Sequence, residues 1–194
     1  MSARRVKRLA EPRCDHHMAA AIIHHQHQDR IAVSRRDDPV GEYILPGGHL
    51  DTSGVPKTVA MLTCRHLDVP VKKAELLSSE VRDDACSRPP GVGGTGHRWW
   101  VFAIETDINP WHRLPDAGHI PGTIATWWLS RIDVQAAAQR SADLATGVLA
   151  LDEWEARPGF DPAYVRLLAA HGWASLTGGE LEAIEQLARA GLSA

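Results

Sequence analysis

Three cysteines in 194 residues, Cys14, Cys64 and Cys86, are too few and too far apart for a disulfide framework, and no CxxC pair occurs. A reducing cytoplasm is the expected compartment. No apolar run is long enough to cross a bilayer, the stretch Met18–Ile23 being far too short, so no membrane association is expected. The basic opening, MSARRVKRLAEPR, lacks the apolar core of a signal peptide and is expected to be a solvated tail over 1–15. Positive charge is not in excess. The net charge is -3, and the segment from Leu151 is acidic, which argues against nucleic acid as a partner. Phenylalanine and tyrosine number two each. Against these shortages stand seven tryptophans and eleven histidines. With 44% hydrophobic residues, the chain is long enough for one domain with a substantial core.

Residues Ala19–Ile23 and Arg30–Ser34 read as two strands around the polar turn HHQHQD. EYILPGG reads as a short strand ending in a loop. From Val55 the period becomes helical, with Val59, Leu62, Cys64 and Leu67 on one side and Pro56 suited to the first turn. Val69-Pro70-Val71 closes that helix. Further strands are expected at Glu75–Val81, at HRWWVFAIETD and at TIATWWLS. Helices are expected at Ile132–Leu144, Pro162–Ala170 and Thr177–Ala190. Asp161 before Pro162 forms an N-cap, and Thr177 with Glu180 a capping box. The order is that of an α+β fold, a mixed sheet with helices packed on it.

The segment PGGHLDTSGVPKTVAMLTCRHLDVPV, Pro46 to Val71, carries a resemblance. It resembles the Nudix hydrolases, whose signature is Gly, five residues, Glu, seven residues, Arg-Glu-apolar-any-Glu-Glu-any-Gly-apolar. The lead-in YILPGGHL is similar to the strand that enters that signature. The strands GHRWWVFAIE and TWWLSRIDV look like the family's core. The resemblance spans roughly Met18 to Leu144. It implies an α/β/α sandwich over 16–150, with 151–194 as a C-terminal helical extension packed on the same domain.

The carboxylates of the signature are missing. Without gaps, Gly54 stands at the first glutamate, Leu62-Thr63 at Arg-Glu and His66-Leu67 at Glu-Glu. With one residue removed before the helix, Met61-Leu62 and Arg65-His66 stand there instead. In the family these acids hold magnesium against a pyrophosphate, and Mg²⁺ requires hard oxygen ligands. Arg65 and His66 cannot supply them. No cofactor is therefore expected. Magnesium is not expected at the usual positions, no metal ligand set has a compact spacing, and only a transition metal is left open by the histidines.

The resemblance places other groups around a cleft. His66, Asp51 and His49 are the candidate acid–base residues, because histidine titrates near neutral pH. Arg65, Arg35, His97, His119, Trp99, Trp100 and Trp128 are the candidate substrate-binding residues, by charge or by stacking. Plainer readings stand beside these: a structural position closing a loop for His49 and His97, a local turn for Asp51, an exposed polar turn for His24, His25 and His27, core packing for at least half the tryptophans, and solvated surface for the arginines. Cys64 is expected to be a buried thiol.

Three functional readings follow. The first is an enzyme with altered chemistry on a small phosphorylated or aromatic metabolite. The second is a catalytically inactive ligand-binding or regulatory module. The third is a nucleoside-diphosphate-X hydrolase whose metal ligands come from Glu75, Glu80, Asp83, Asp84, Glu105 or Asp116. The partner expected in each is a small molecule, and a homodimer is compatible with all three. An enclosed pocket at His66 would favour the first, and a solvated helix face the second.

Overall fold

The computed structural model describes residues 14, 16–25, 27–37, 41–50, 54–86, 96–106, 108, 114 and 123–191. Asp51, His119, Asp116 and most of the 1–15 segment lie outside the described residues. Among the described residues, seven strands form one mixed sheet: β1 (His17–His24), β2 (Arg30–Arg36), β3 (Tyr43–Ile44), β4 (Gly47–His49), β5 (Val71–Arg82), β6 (His97–Thr106) and β7 (Thr123–Ser130). The helices are α1 (Pro56–His66), α2 (Arg131–Ala145), α3 (Leu151–Ala156), α4 (Pro162–Ala170) and α5 (Gly178–Ala190). The main path of the sheet runs β3-β2-β1-β6-β5, with β4 added to β1 and β7 to β2.

Strand β1 sets the two faces. It pairs in parallel with β6 and antiparallel with β2 and β4. Successive strand residues point to opposite faces. Met18, Ala20 and Ile22 join Val134, Ala138, Phe160, Tyr164, Leu168 and Ile184 on one side. Ala21 and Ile23 join Ala60, Cys64 and Leu67 on the other. A strand covered on both faces reads as a continuous apolar run, as MAAAII does. The C-terminal helices cover the first face and α1 the second, which is the α/β/α layering that the resemblance implies.

Several local signals are realised. The Asp161 side chain accepts from the Ala163 N–H at the start of α4, and Thr177 with Glu180 caps α5 reciprocally. Four expectations are corrected. Gly47–His49 is a strand, not a loop, because Gly47 approaches β1 so closely that a Cβ there would lie 2.1 Å from the Ala19 carbonyl oxygen. Strand β5 begins at Val71 rather than Glu75; it pairs along the whole of β6, and two bulges absorb the mismatch in length. Leu151–Ala156 adds a short helix that the sequence pattern did not mark. On α1 the buried line is Ala60, Cys64 and Leu67, and Leu62 is exposed. Leu62 lies two residues from both Ala60 and Cys64, about 200° around the helix axis, so the period that buries them turns it outward.

Two half-buried histidines give the fold a pH dependence. Burial lowers the pKa of His24 below its ordinary 6.5, opposed by Asp29 and Glu105 and helped by Arg131. Burial also lowers His171, opposed by Glu80 and helped by Arg82. The unfolded chain therefore binds these protons more tightly than the folded one. Stability is unaffected by them above about pH 6.5 and falls as the pH drops below that value. Melting curves from pH 8 to pH 5 should show this acid-side loss, and replacing both histidines with glutamine should reduce it. An unchanged profile in the double variant would refute the assignment.

Candidate functional site

The helical part of the segment that carries the resemblance forms α1, and its burial bears on the two registers. Thr63 and Leu67 are buried, so the gap-free alignment would place carboxylates in the core. The shifted alignment places Leu62, Arg65 and His66 at the glutamate positions, and all three are exposed. The helix has no acid in its first turn and two basic residues, Arg65 and His66, in its last. Basic groups suit the negative end of the helix dipole.

Beside this face lies an open groove of about 1010 Å³. Met61, Leu62, Val69 and Ile108 give it apolar walls, and Lys57 and Arg65 give it positive charge. Asp68 is its single lining acid among the described residues. His66 is exposed and does not line the groove. Cys64, on the opposite side of α1, is fully buried, and burial pushes its thiol up to about 12.

The acids available to a displaced magnesium site are otherwise engaged or dispersed. Glu75 pairs with Lys73, Glu80 with Arg82 and Asp83 with Arg189. Among the described residues none of these acids belongs to a donor cluster that could hold a metal ion.

Such a cluster occurs elsewhere, and spacing alone does not suggest it. Cys14, His49, Cys86 and His97 bring one donor atom each to within 4.8 Å of all the others. Cys14 precedes β1, His49 ends β4, Cys86 follows β5 and His97 opens β6. Sheet pairing draws them to one end: Met18 faces His49, His17 faces Arg98, and Arg82 faces His97. The Cys14 Sγ lies 3.2 Å from His97 Nε2 and 3.5 Å from His49 Nε2, and the Cys86 Sγ lies 3.4 Å from His49 Nε2. Cys14 and His97 are buried; His49 and Cys86 are half-buried.

A buried carboxylate supports the cluster from behind. Asp84 Oδ2 is 2.9 Å from His97 Nδ1 and accepts from the Trp99 indole N–H at 3.3 Å, while Oδ1 accepts from the His97 backbone N–H at 3.2 Å. A carboxylate at Nδ1 favours the tautomer protonated there, with Nε2 towards the Cys14 sulfur. The His16 backbone N–H also donates to Cys14 Sγ, at 3.3 Å.

The remaining candidates fall into place around these features. Of the residues expected to bind substrate, His97 is 3% exposed and Trp99 1%, and Trp99 packs edge-on to Tyr164 in the core. Trp100 points to the other face and packs on His17. Trp128 packs edge-on against His25, which is buried rather than part of an exposed turn. Arg35 donates to the Gly41 carbonyl at 2.9 Å. Of the three residues proposed for acid–base work, His49 joins the thiol–imidazole cluster, His66 is exposed on α1, and Asp51 lies outside the described residues.

Fold and site together define an α/β/α sandwich with a carboxylate-free motif helix on one face and a Cys₂His₂ donor set at one end of the sheet. No protein-family model matches the chain. No curated protein matches it either. Among solved structures, the chain is similar to a Nudix hydrolase from Nitrosomonas europaea, with 16% identity, 61% of this chain and 74% of that one covered, and a TM-score of 0.41. It is similar to the Nudix hydrolase RenU from M. smegmatis, with 18% identity over 70% of this chain and 89% of that one, and a TM-score of 0.39. The Nudix domain of Shewanella oneidensis NrtR, solved with ADP-ribose, shows 15% identity over 60% of this chain and 73% of that one, with a TM-score of 0.41.

Proposed function

We propose that this chain is a Nudix-like binding module that takes an anionic small molecule with an apolar or aromatic part against α1, without magnesium-dependent hydrolysis. The observation that carries the reading is the exposed face of α1. Leu62, Arg65 and His66 stand where the resemblance expects carboxylates, and all three are solvent-facing. Magnesium at a pyrophosphate needs carboxylate oxygens, and this face offers none. What the adjoining groove offers is two cations, Lys57 and Arg65, beside the apolar side chains of Met61, Leu62, Val69 and Ile108. Arginine pairs with phosphate through two parallel hydrogen bonds, and apolar walls take up a flat or aliphatic group. His66 is exposed and lies off the groove, so the reading does not draw on it.

The test is calorimetric titration with a panel of nucleoside diphosphate derivatives, alongside product analysis with magnesium or manganese and then with chelator. The expected result is binding without turnover. Arg65→Glu should weaken that binding at least tenfold, and His66→Ala should leave it within about twofold, since a charge-assisted phosphate contact contributes roughly 1.5–3 kcal/mol. Metal-dependent hydrolysis, or binding indifferent to Arg65→Glu, would overturn the reading.

A further inference from the structure

Independently of the groove and its ligand, the geometry points to a structural zinc site formed by Cys14, His49, Cys86 and His97. Zinc at about 2.3 Å from sulfur and about 2.0–2.1 Å from nitrogen, in tetrahedral geometry, places a sulfur and a nitrogen donor about 3.6 Å apart. Three of the four S···N separations in the cluster are 3.2, 3.4 and 3.5 Å, and every donor pair lies within 4.8 Å. The three are close to the edge length that a tetrahedral ion requires. Two thiolates and two imidazoles select zinc over magnesium or calcium, which prefer oxygen.

The outer partners fit the same ion. Asp84 at His97 Nδ1 completes a carboxylate–histidine–metal arrangement, and it is only 8% exposed. Three donors converge on this buried carboxylate, and a metal gives it a purpose: it fixes the orientation of the ligating imidazole. The His16 N–H to Cys14 Sγ contact suits a thiolate, which accepts hydrogen bonds better than a thiol.

Four protein donors fill a tetrahedral ion and leave no position for water or substrate, so the site's role is to hold structure. It fastens four separate segments: the residue before β1, the end of β4, the residues after β5 and the start of β6. Two of these, β4 and β1, form the entry to the motif helix. The ion thus secures the end of the sheet from which the segment leading to α1 departs.

The experiment uses the full chain, tag-free and purified without chelator. Elemental analysis should give about one zinc per chain. Replacement by Co²⁺ should give the strong visible absorption of a tetrahedral ion together with thiolate-to-cobalt charge transfer in the near ultraviolet. Removing the ion with a strong chelator should lower Tm by on the order of 10 °C. Cys86→Ser, at a half-buried position, should abolish the charge-transfer band attributable to that sulfur and reduce zinc content while far-ultraviolet circular dichroism stays folded. Asp84→Asn should keep the ion at saturation but weaken its affinity about ten- to a hundredfold in chelator competition. Less than a tenth of an equivalent of metal with no cobalt charge transfer would overturn the inference, as would wild-type zinc affinity in both variants. Failure of the groove titrations leaves these readouts unchanged, so the two conclusions fail separately.

Discussion

Replacing Trp99 with alanine is expected to destabilise the fold by about 3–5 kcal/mol, the range for removing a fully buried aromatic side chain. Trp99 is 1% exposed on β6, edge-on to Tyr164 at 5.2 Å, and its indole N–H donates to Asp84. Truncation loses the transfer free energy of the ring, leaves a cavity against Tyr164, and deprives a buried carboxylate of a donor. Trp100 supplies the comparison. It is the same residue type one position along, but it points to the other face, is half-buried, and stacks on His17. Its replacement by alanine should cost clearly less, roughly 1–2 kcal/mol. Urea denaturation of both variants checks the pair. Equal losses would contradict the assignment of Trp99 to the core and Trp100 to a partly open surface. Trp99→Phe keeps a six-membered ring in the core but removes the five-membered ring with its N–H, so it loses the hydrogen bond and part of the packing. Its expected loss lies between those of Trp100→Ala and Trp99→Ala, about 2–3 kcal/mol.

Gly96→Ala is the second large effect, and Gly147→Ala is its control. Both glycines have left-handed backbones, with φ of 73° and 75°. Alanine in that conformation costs about 1–2 kcal/mol from sterics alone. At Gly147 nothing lies within 4 Å of the added Cβ, so that cost should be the whole effect. At Gly96 the Cβ would lie 1.9 Å from the Arg82 carbonyl oxygen and 2.8 Å from the Asp83 Cα. Neither atom belongs to a flexible side chain, so the end of β6 must move away from the end of β5. The total loss should exceed that at Gly147 by more than about 1 kcal/mol. Because His97 is the next residue and Asp84 is two beyond Arg82, the same displacement should weaken zinc binding in Gly96→Ala and leave it unchanged in Gly147→Ala. Thermal melts give the first comparison and chelator competition the second. Similar values for the two variants would show that the β5–β6 end is not held as tightly as the backbone contact implies.

The sequence by itself determined the features that depend on neighbouring residues. The apolar run Met18–Ile23, the alternation in HRWWVFAIET, the cap at Asp161-Pro162 and the capping box at Thr177–Glu180 are all local signals, because propensity, side-chain period and cap chemistry act within a few residues. The mixed α+β order followed from them. So did the absence of carboxylates from the motif helix, which is a statement about residue identity.

Tertiary structure decided the rest. Which side of α1 meets the sheet is set by packing: Ala60, Cys64 and Leu67 face it, and Leu62, about 200° around the helix from Ala60 and Cys64, faces out. Gly47–His49 looked like loop until pairing with β1 made it a strand. The Cys₂His₂ set is the clearest case. Its members stand at positions 14, 49, 86 and 97, with no compact spacing to mark them. They converge because β1 runs antiparallel to β4 and parallel to β6, while β5 returns antiparallel to β6. Donor identity is written in single residues, but the distances between donors come from strand direction and register, and those are set by long-range pairing that no local pattern encodes.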